Sequence, residues 1–509
     1  MKFSTNTVTY AMVTMAAASA LQCDLDASAR TDCGELASDQ TTCEASGCCW
    51  DPLDDGVSGP WCFYSKSDEP GSCFVFQNST DTAPFSDSEV AAFQTNFLAN
   101  VNVESVGAVV AAPDHDTPGG NYYYHWMRDG ALSMRSLWAN PNLDRDTVST
   151  YLQSYAKWVI GRQSAVAVHD GVDVRVEPKF EIPDGTVFDG SWCRPQNDGP
   201  GLRAITLMFY AEELLEADAK DSFVTENLWT GDSSSLNGGA IKFDLDWVVD
   251  GWDSNTCDLW EEVQSSDFFW NRVTMKKAML MGSTFATKMG DGASASKYAE
   301  IAAAIDAKLD SHWLGTFVAE ETNRQKDGAV LVGFNNGFDE SDGKYAPTSV
   351  EVASTVNVYN TAFCSEYKIN TDDSASEVPG VLIGRYPGDN YAGGNPWVLS
   401  TAAMAQLLYR AASYTLSNGV PTDEALEQFS AGLNVDFPAD AKGISQTLAA
   451  AGDSVMLRLK EHVGGDDGHL DEQIDRNTGE QMSAKDLTWS YAEVLNAMAA
   501  RSEWEAAYN

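Results

Sequence analysis

Positive charge is what this 509-residue chain has least of. Its 32 Lys and Arg stand against 75 Asp and Glu, giving a formal net charge of −43 and a sequence pI near 4.2. Nucleic acids are held through basic surfaces, so this balance argues against DNA or RNA as a partner. Histidine is sparse as well, with six in all, and His125 and His169 stand apart from any cluster of ligating residues. No metal site is expected. Beyond the N-terminus no run of about 18 apolar residues occurs, so nothing reads as a bilayer-spanning helix. Strand-like alternation is scarce, with Gly171 to Val176 and Gly328 to Gly333 the better cases. Short repeats, heptads and low-complexity tracts are missing too.

What is present begins with a secretory signature. Lys2, the apolar stretch Tyr10 to Ala17 and the small residues Ala18-Ser19-Ala20 predict a signal peptide over 1–20, with a secreted, extracellular or secretory-lumen product starting near Leu21. Ten cysteines, an even number, suit an oxidising compartment. Six of them crowd into Cys23, Cys33, Cys43, Cys48, Cys49 and Cys62. A segment of about 45 residues is too short to hold itself by apolar burial, so a disulfide-stapled module is expected, its pairing left open by spacing alone. The spacing C-x9-C-x9-C-x4-C-C-x12-C, with Gly47-Cys48-Cys49-Trp50-Asp51 and Pro60-Trp61-Cys62-Phe63, resembles a trefoil (P-type) domain, here over 21–64. The resemblance implies the pairs Cys23–Cys49, Cys33–Cys48 and Cys43–Cys62. It also implies a possible glycan contact at Trp61, against the alternative of a packed spacer. Residues 65–88, rich in Ser, Asp, Pro and Gly, read as a linker, and Asn78-Ser79-Thr80 as a glycosylation sequon at Asn78.

From residue 89 to 509 apolar residues recur at helical spacing, as in Val90 to Leu98, Val148 to Ile160, Leu202 to Leu215, Phe268 to Phe285, Tyr298 to Leu309, Trp397 to Tyr409 and Leu487 to Met498. This predicts one mainly α domain with long, functional loops. Asp258-Leu259-Trp260-Glu261-Glu262 packs three carboxylates around a Trp. As a helical turn it would face Asp258, Glu261 and Glu262 one way, so that one acid keeps its proton above the usual range. A protonated acid beside an indole suits cleavage of a glycosidic bond.

Three loops share a carbohydrate-pocket palette. Tyr122 to Gly130, Gly190 to Pro200 and Gly384 to Trp397 each combine aromatic faces, which stack on sugar rings, with Arg, Asp or Asn, which bond hydroxyls. Hydrolysis needs a second acid, and Glu480 is the candidate, in the loop before a helix that Ser483-x-x-Asp486 would cap. In order and spacing, Tyr122–Asp129, Glu177-Pro178-Lys179-Phe180, Gly190–Arg203, Asp258–Val263, Gly384–Trp397 and Gly479–Tyr491 resemble the glucoamylases of glycoside hydrolase family 15. The resemblance implies an (α/α)6 barrel of six inner and six outer helices, behind the small disulfide-rich trefoil module. It implies Glu261 as general acid and Glu480 as general base, about 6.5–9.5 Å apart, inverting an α-linkage to β-glucose. Tyr122, Trp126, Arg128, Asp129, Trp192, Asp258, Glu262 and Arg385 match substrate-binding positions, with Asp258 beside the acid and Glu262 at the next subsite. No cofactor is implied.

Two departures from the family stand out. Cys193 replaces the usual Gly after Trp192, and the pairing of Cys73, Cys193, Cys257 and Cys364 is open. The sequence ends at Asn509 soon after the last helix, without a C-terminal starch-binding domain like that of many fungal glucoamylases, so tight adsorption to raw starch is not expected unless the trefoil substitutes. The resulting expectation is a secreted monomeric exo-acting glucan 1,4-α-glucosidase acting on starch, maltooligosaccharides or related α-glucans, including α-1,6 links. Trehalase or glucodextranase activity, or a non-catalytic glycan-binding protein, are the alternatives. Product analysis on maltose, trehalose and dextran separates them.

Overall fold

The computed structural model describes residues 23, 25, 27, 30, 33, 40–45, 48–53, 59–63 and 72–509, except 170, 232–235 and 466. The expected signal peptide lies outside the described residues. The chain forms two compact units, Met1–Glu69 and Pro70–Asn509.

In the first unit, helix α1 (Gln40–Ala45) accompanies an antiparallel pair, Cys49–Trp50 with Cys62–Phe63. Disulfides join Cys23 to Cys49, Cys33 to Cys48 and Cys43 to Cys62. Cys43, Cys48 and Cys62 are the buried centre. With so little apolar area, cross-links replace a core as the source of stability. Arg30 reinforces them: its Nη1 donates to Asp51 O at 2.7 Å, and its guanidinium lies 4.3 Å from the Phe63 ring centre.

The second unit is helical. In chain order it contains α2 (Asp87–Ala99), α3 (Met127–Ala139), α4 (Arg145–Gln163), α5 (Asp198–Ala217), α6 (Ala240–Gly251), α7 (Phe269–Lys288), α8 (Gly292–Leu309) and α9 (Ala329–Gly337). Then follow α10 (Val350–Glu366), α11 (Lys368–Ala375), α12 (Val398–Asn418), α13 (Asp423–Leu433), α14 (Ala441–Val463) and α15 (Thr488–Tyr508). Helices α3, α5, α7, α9, α12 and α15 pack each against the next, and α15 closes on α3. This is the inner ring of an (α/α)6 barrel. Its helices are apolar on nearly every face because both sides are covered; every residue of α9 is buried. Outer helices carry one apolar stripe and ordinary caps, such as the Ser86–Glu89 capping box of α2.

Several local expectations are overturned. Gly328 to Gly333 enters α9 rather than a strand, because a run buried on all sides has no period to read. Gly171 to Val176 ends in a single 3₁₀ turn, Val174–Val176, nucleated by the Asp173 side chain accepting from the Arg175 N–H. The stretch read as a linker is not one from Ser72 onward. Phe74 and Phe85 are buried in the barrel core, and Cys73 is bonded to Cys364 of α10. Asn78 remains exposed. Ser483 and Asp486 do not cap α15, whose N-cap Leu487 has no side-chain bond. The Ser483 hydroxyl goes instead to Glu472, and Asp486 accepts from Tyr491 Oη and from His469 at 2.7 Å.

Inner and outer layers are pinned by buried ion pairs. Arg203 of α5 donates from Nε (2.9 Å) and Nη2 (2.5 Å) to the two oxygens of Asp244 on α6, and both residues are inaccessible. Removing one member leaves the other charge buried without a partner. Asp244→Ala is therefore expected to lower unfolding free energy by about 3–5 kcal/mol, measured by denaturant titration. A loss under about 1 kcal/mol would mean the pair holds nothing together.

Candidate active site

The inner helices all begin at one end of the barrel, and the loops entering them surround a cavity of about 260 Å³. Trp126, Arg128 and Asp129 come from the start of α3, Trp397 from the residue before α12, and Leu487 and Trp489 from the start of α15. Tyr122, Trp192, Trp260, Glu261, Glu262, Arg385, Tyr391 and Glu472 complete the wall. Helix N-termini pointing inward give the cavity a positive bias that suits the carboxylates collected there.

The acidic run is not helical. It is a tight loop between the paired segments Thr256–Cys257 and Gln264–Ser265, and Glu261 has φ +67°, a left-handed conformation costly for a residue with Cβ. Asp258 builds this loop. It is buried, accepts the N–H groups of Glu262 (2.7 Å) and Val263 (2.9 Å) on Oδ1, and pairs with Arg324. A short acid that bonds backbone N–H groups competes with helix formation, which is why the three carboxylates diverge. Asp258 does not line the cavity, so its expected substrate contact is corrected to loop support; it stays next to Glu261, whose N–H bonds the Asp258 carbonyl at 3.1 Å.

Glu261 is held by four donors. Trp126 Nε1, Arg128 Nη2 and Gln196 Nε2 reach Oε1, each at 2.9 Å, while Trp192 Nε1 reaches Oε2 at 2.6 Å. The Trp192 loop and the acid loop are also joined covalently through Cys193–Cys257. Glu262 points to the rim, accepting from Tyr386 Oη (2.6 Å) and pairing with Arg324 (2.9 Å) and Arg385 (2.8 Å). Arg385 is buried against Asp389 and ringed by Trp260, Tyr386, Tyr391 and Trp397. Burial opposes its charge, but Asp389 and Glu262 outweigh that, and its pKa is raised.

Glu480 is the expectation the structure overturns. Its side chain is exposed at the turn of the hairpin formed by Gln473–Ile474 and Gln481–Met482, and it does not line the cavity. A buried carboxylate that does is Glu472, just before the same hairpin. It accepts from Tyr122 Oη (3.0 Å) on Oε1 and from Gln473 Nε2 (3.1 Å) and Ser483 Oγ (2.5 Å) on Oε2. Burial raises its pKa above the usual carboxylate value, against the opposing pull of Ser483, Tyr122 and Arg385. The sequence held a signal for it. Glu472 sits among Leu470 and Ile474, whereas Glu480 follows a Thr-Gly turn.

Among known families, the glycosyl hydrolases family 15 model matches residues 95–499, and the trefoil (P-type) domain model matches 23–65. The chain belongs to glycosyl hydrolases family 15. It is 33% identical over 457 residues to a glucoamylase of Blastobotrys adeninivorans, covering 82% of this chain and 71% of that protein. The solved family 15 glucoamylase of Hypocrea jecorina superposes with a TM-score of 0.70 at 30% identity, over 83% of this chain and 74% of that one. The glucoamylase of Saccharomycopsis fibuligera gives 0.72 at 25% identity, over 85% and 99%. The chain is accordingly a glycoside hydrolase with an (α/α)6 barrel and a disulfide-rich trefoil.

Asp129 allows a test of the site's electrostatics. Burial pushes its carboxyl up to about 6, with Arg128 opposing and Glu261 adding to the rise. The folded chain thus keeps this proton at pH values where the unfolded chain has lost it, so stability falls as pH rises from about 4 to 6. Asp129→Asn should become progressively more stable relative to wild type across that window in denaturant titrations. Parallel profiles for the two proteins would show that Asp129 is not the group responsible.

Proposed function

We propose that this glycoside hydrolase is a secreted exo-acting glucan 1,4-α-glucosidase that inverts configuration, with Glu261 as general acid and Glu472 as general base. The observation that carries the proposal is a single cavity of about 260 Å³ into which two carboxylates with opposite surroundings project. Oε1 of Glu261 is occupied by three donors and Oε2 by one, which leaves Oε2 to carry the proton and deliver it to the glycosidic oxygen. Among the described residues Glu472 Oε1 has only the Tyr122 hydroxyl as donor, so it has capacity to accept a proton from a water attacking the anomeric carbon. In an inverting site the two carboxyls stand about 6.5–9.5 Å apart to admit that water.

The cavity is small for a ligand site, which suits one terminal sugar rather than the interior of a chain. Trp126, Trp192, Trp397 and Tyr122 supply faces for its C–H surface, and Arg128, Asp129 and Arg385 supply fixed partners for its hydroxyls. Glu262, at the rim between Arg324 and Arg385, is placed for the second sugar. The glucoamylase relatives support starch-like α-1,4 glucans as substrates, and the disulfides support an oxidising, extracellular setting. In the trefoil, Trp61 is 49% exposed and stands edge-on to Trp50, an aromatic surface suited to a glycan.

Glu261→Gln and Glu472→Gln should each lower kcat on a maltooligosaccharide by about 10²–10⁴ with the melting transition intact, while Glu480→Gln should be near wild type. Near-normal turnover in Glu472→Gln would remove it as the base. NMR of the first-formed product should show β-glucose; α-glucose would exclude inversion, and release from trehalose in place of maltose would exclude the substrate class. Separately, Trp61→Ala should weaken adsorption to granular starch without altering kcat/KM on maltose. Undiminished adsorption would leave the trefoil without a glycan role.

A further inference from the structure

Lys179 has no part in the chemistry above, yet it is one of the most buried cations in the molecule, at 2% exposure. It lies opposite Trp126 in the short pairing of His125–Trp126 with Lys179–Phe180. Its ammonium sits 3.3 Å from the ring centre of Trp192, 4.1 Å from Phe188, 4.4 Å from Trp126 and 4.6 Å from Tyr124. Among the described residues it forms no ion pair. Four aromatic faces thus stand where a buried cation ordinarily has a carboxylate, an arrangement worth most when water is excluded. Two of the caging rings, Trp126 and Trp192, are the indoles whose N–H groups bond the two oxygens of Glu261.

We propose that Lys179 is a positioning residue for the general acid, acting through the indoles of Trp126 and Trp192. A cation on an indole face fixes that ring and withdraws electron density from it, which makes the ring N–H a stronger donor. One ammonium therefore orients both sides of the Glu261 carboxyl without touching it. This rests on the assignment of Glu261 as the acid. The charged groups facing the ammonium are Glu261 and Glu181, which favour its charge, and Arg194, which opposes it; burial outweighs them and brings its pKa down to about 8. Arg194 is itself occupied by Glu177, at 2.7 Å. The ammonium is charged at acid and neutral pH, and the support it gives is lost as pH rises through that value.

Lys179→Met keeps the length of the side chain and removes the charge. Its kcat on a maltooligosaccharide is expected to fall about tenfold or more, with KM within about threefold. On α-glucosyl fluoride, whose leaving group needs little protonation, the variant should be within about threefold of wild type, because only acid assistance has been weakened. The alkaline limb of kcat/KM should move to higher pH, since a positive charge near the acid has gone. Lys179→Arg should recover part of the loss. Equal losses on both substrates would reduce Lys179 to a packing residue and overturn the proposal, as would unchanged kcat and pH profile in a folded Lys179→Met. The same pair of substrates measured on Glu261→Gln separates the two claims. If that variant is not selectively impaired on the maltooligosaccharide, the assignment of the acid fails; if it is and Lys179→Met is not, only the role of Lys179 fails.

Discussion

The buried guanidinium of Arg128 is the interaction on which the site depends. One nitrogen donates to Gln196 and Asp198 at 3.1 and 3.0 Å, and another to Glu261 at 2.9 Å. Asp198 in turn accepts from Trp270 Nε1 at 2.9 Å. The starts of α3, α5 and α7 are thereby joined to the loop that carries Glu261. A planar donor with fixed directions can satisfy these acceptors together, which a lysine could not. Burial opposes its charge, but Asp198, Glu261 and Asp129 together more than compensate and its pKa is raised. Removing it would leave several inward-facing carboxylates without their shared cation.

Much of this was legible in the sequence because aromatic and charged residues recur in Gly- and Pro-rich loops ahead of apolar helices. Tyr122, Trp126, Arg128, Asp129, Trp192 and Arg385 stand in those loops, Glu261 and Glu262 in the separate acidic run, and all reach the cavity wall. The failures share a cause, which is that composition does not reveal which way a turn faces. Asp258 to Glu262 fits a helical turn by spacing, but the Asp258 carboxylate bonds the backbone ahead of it and coils the chain into a loop. Glu472 and Glu480 each precede a Gln and flank the same hairpin. Burial separates them: Glu472 is closed in by Tyr122, Gln473 and Ser483, the first of which lies 350 residues away in the chain, and the apolar neighbours Leu470 and Ile474 are the only local sign of it. Lys179 stands out in the sequence only as part of Glu177-Pro178-Lys179-Phe180, since nothing in a sequence places four rings around one amine.

A second shared cation organises the other side of the cavity. Arg324 contacts Asp258, Glu262 and Asp327, and Asp327 accepts from Trp260 Nε1 at 2.7 Å. Burial, with Arg324 opposing, raises the Asp327 carboxyl, and burial together with Asp327 raises that of Glu320 behind it. The chain is strongly acidic overall, yet Arg128 and Arg385 line its cavity and Arg324 reaches Glu262 at the rim. Each serves several carboxylates at once, which is how a chain poor in cations can still build an ordered polar pocket.

The bond between Cys73 and Cys364 spans 291 residues and runs from the segment ahead of α2 to the end of α10. Everything between is a closed covalent loop. A protease that cuts any exposed turn inside it opens the ring without releasing a fragment, and the two new ends remain tethered beside their native partners. Four of the six inner helices, α3, α5, α7 and α9, lie within that loop, together with both Trp192 and Glu261. A nicked molecule would run as one piece until reduced, and its cavity walls would stay at high effective concentration of each other. Proteolytic wear would then be gradual instead of abrupt.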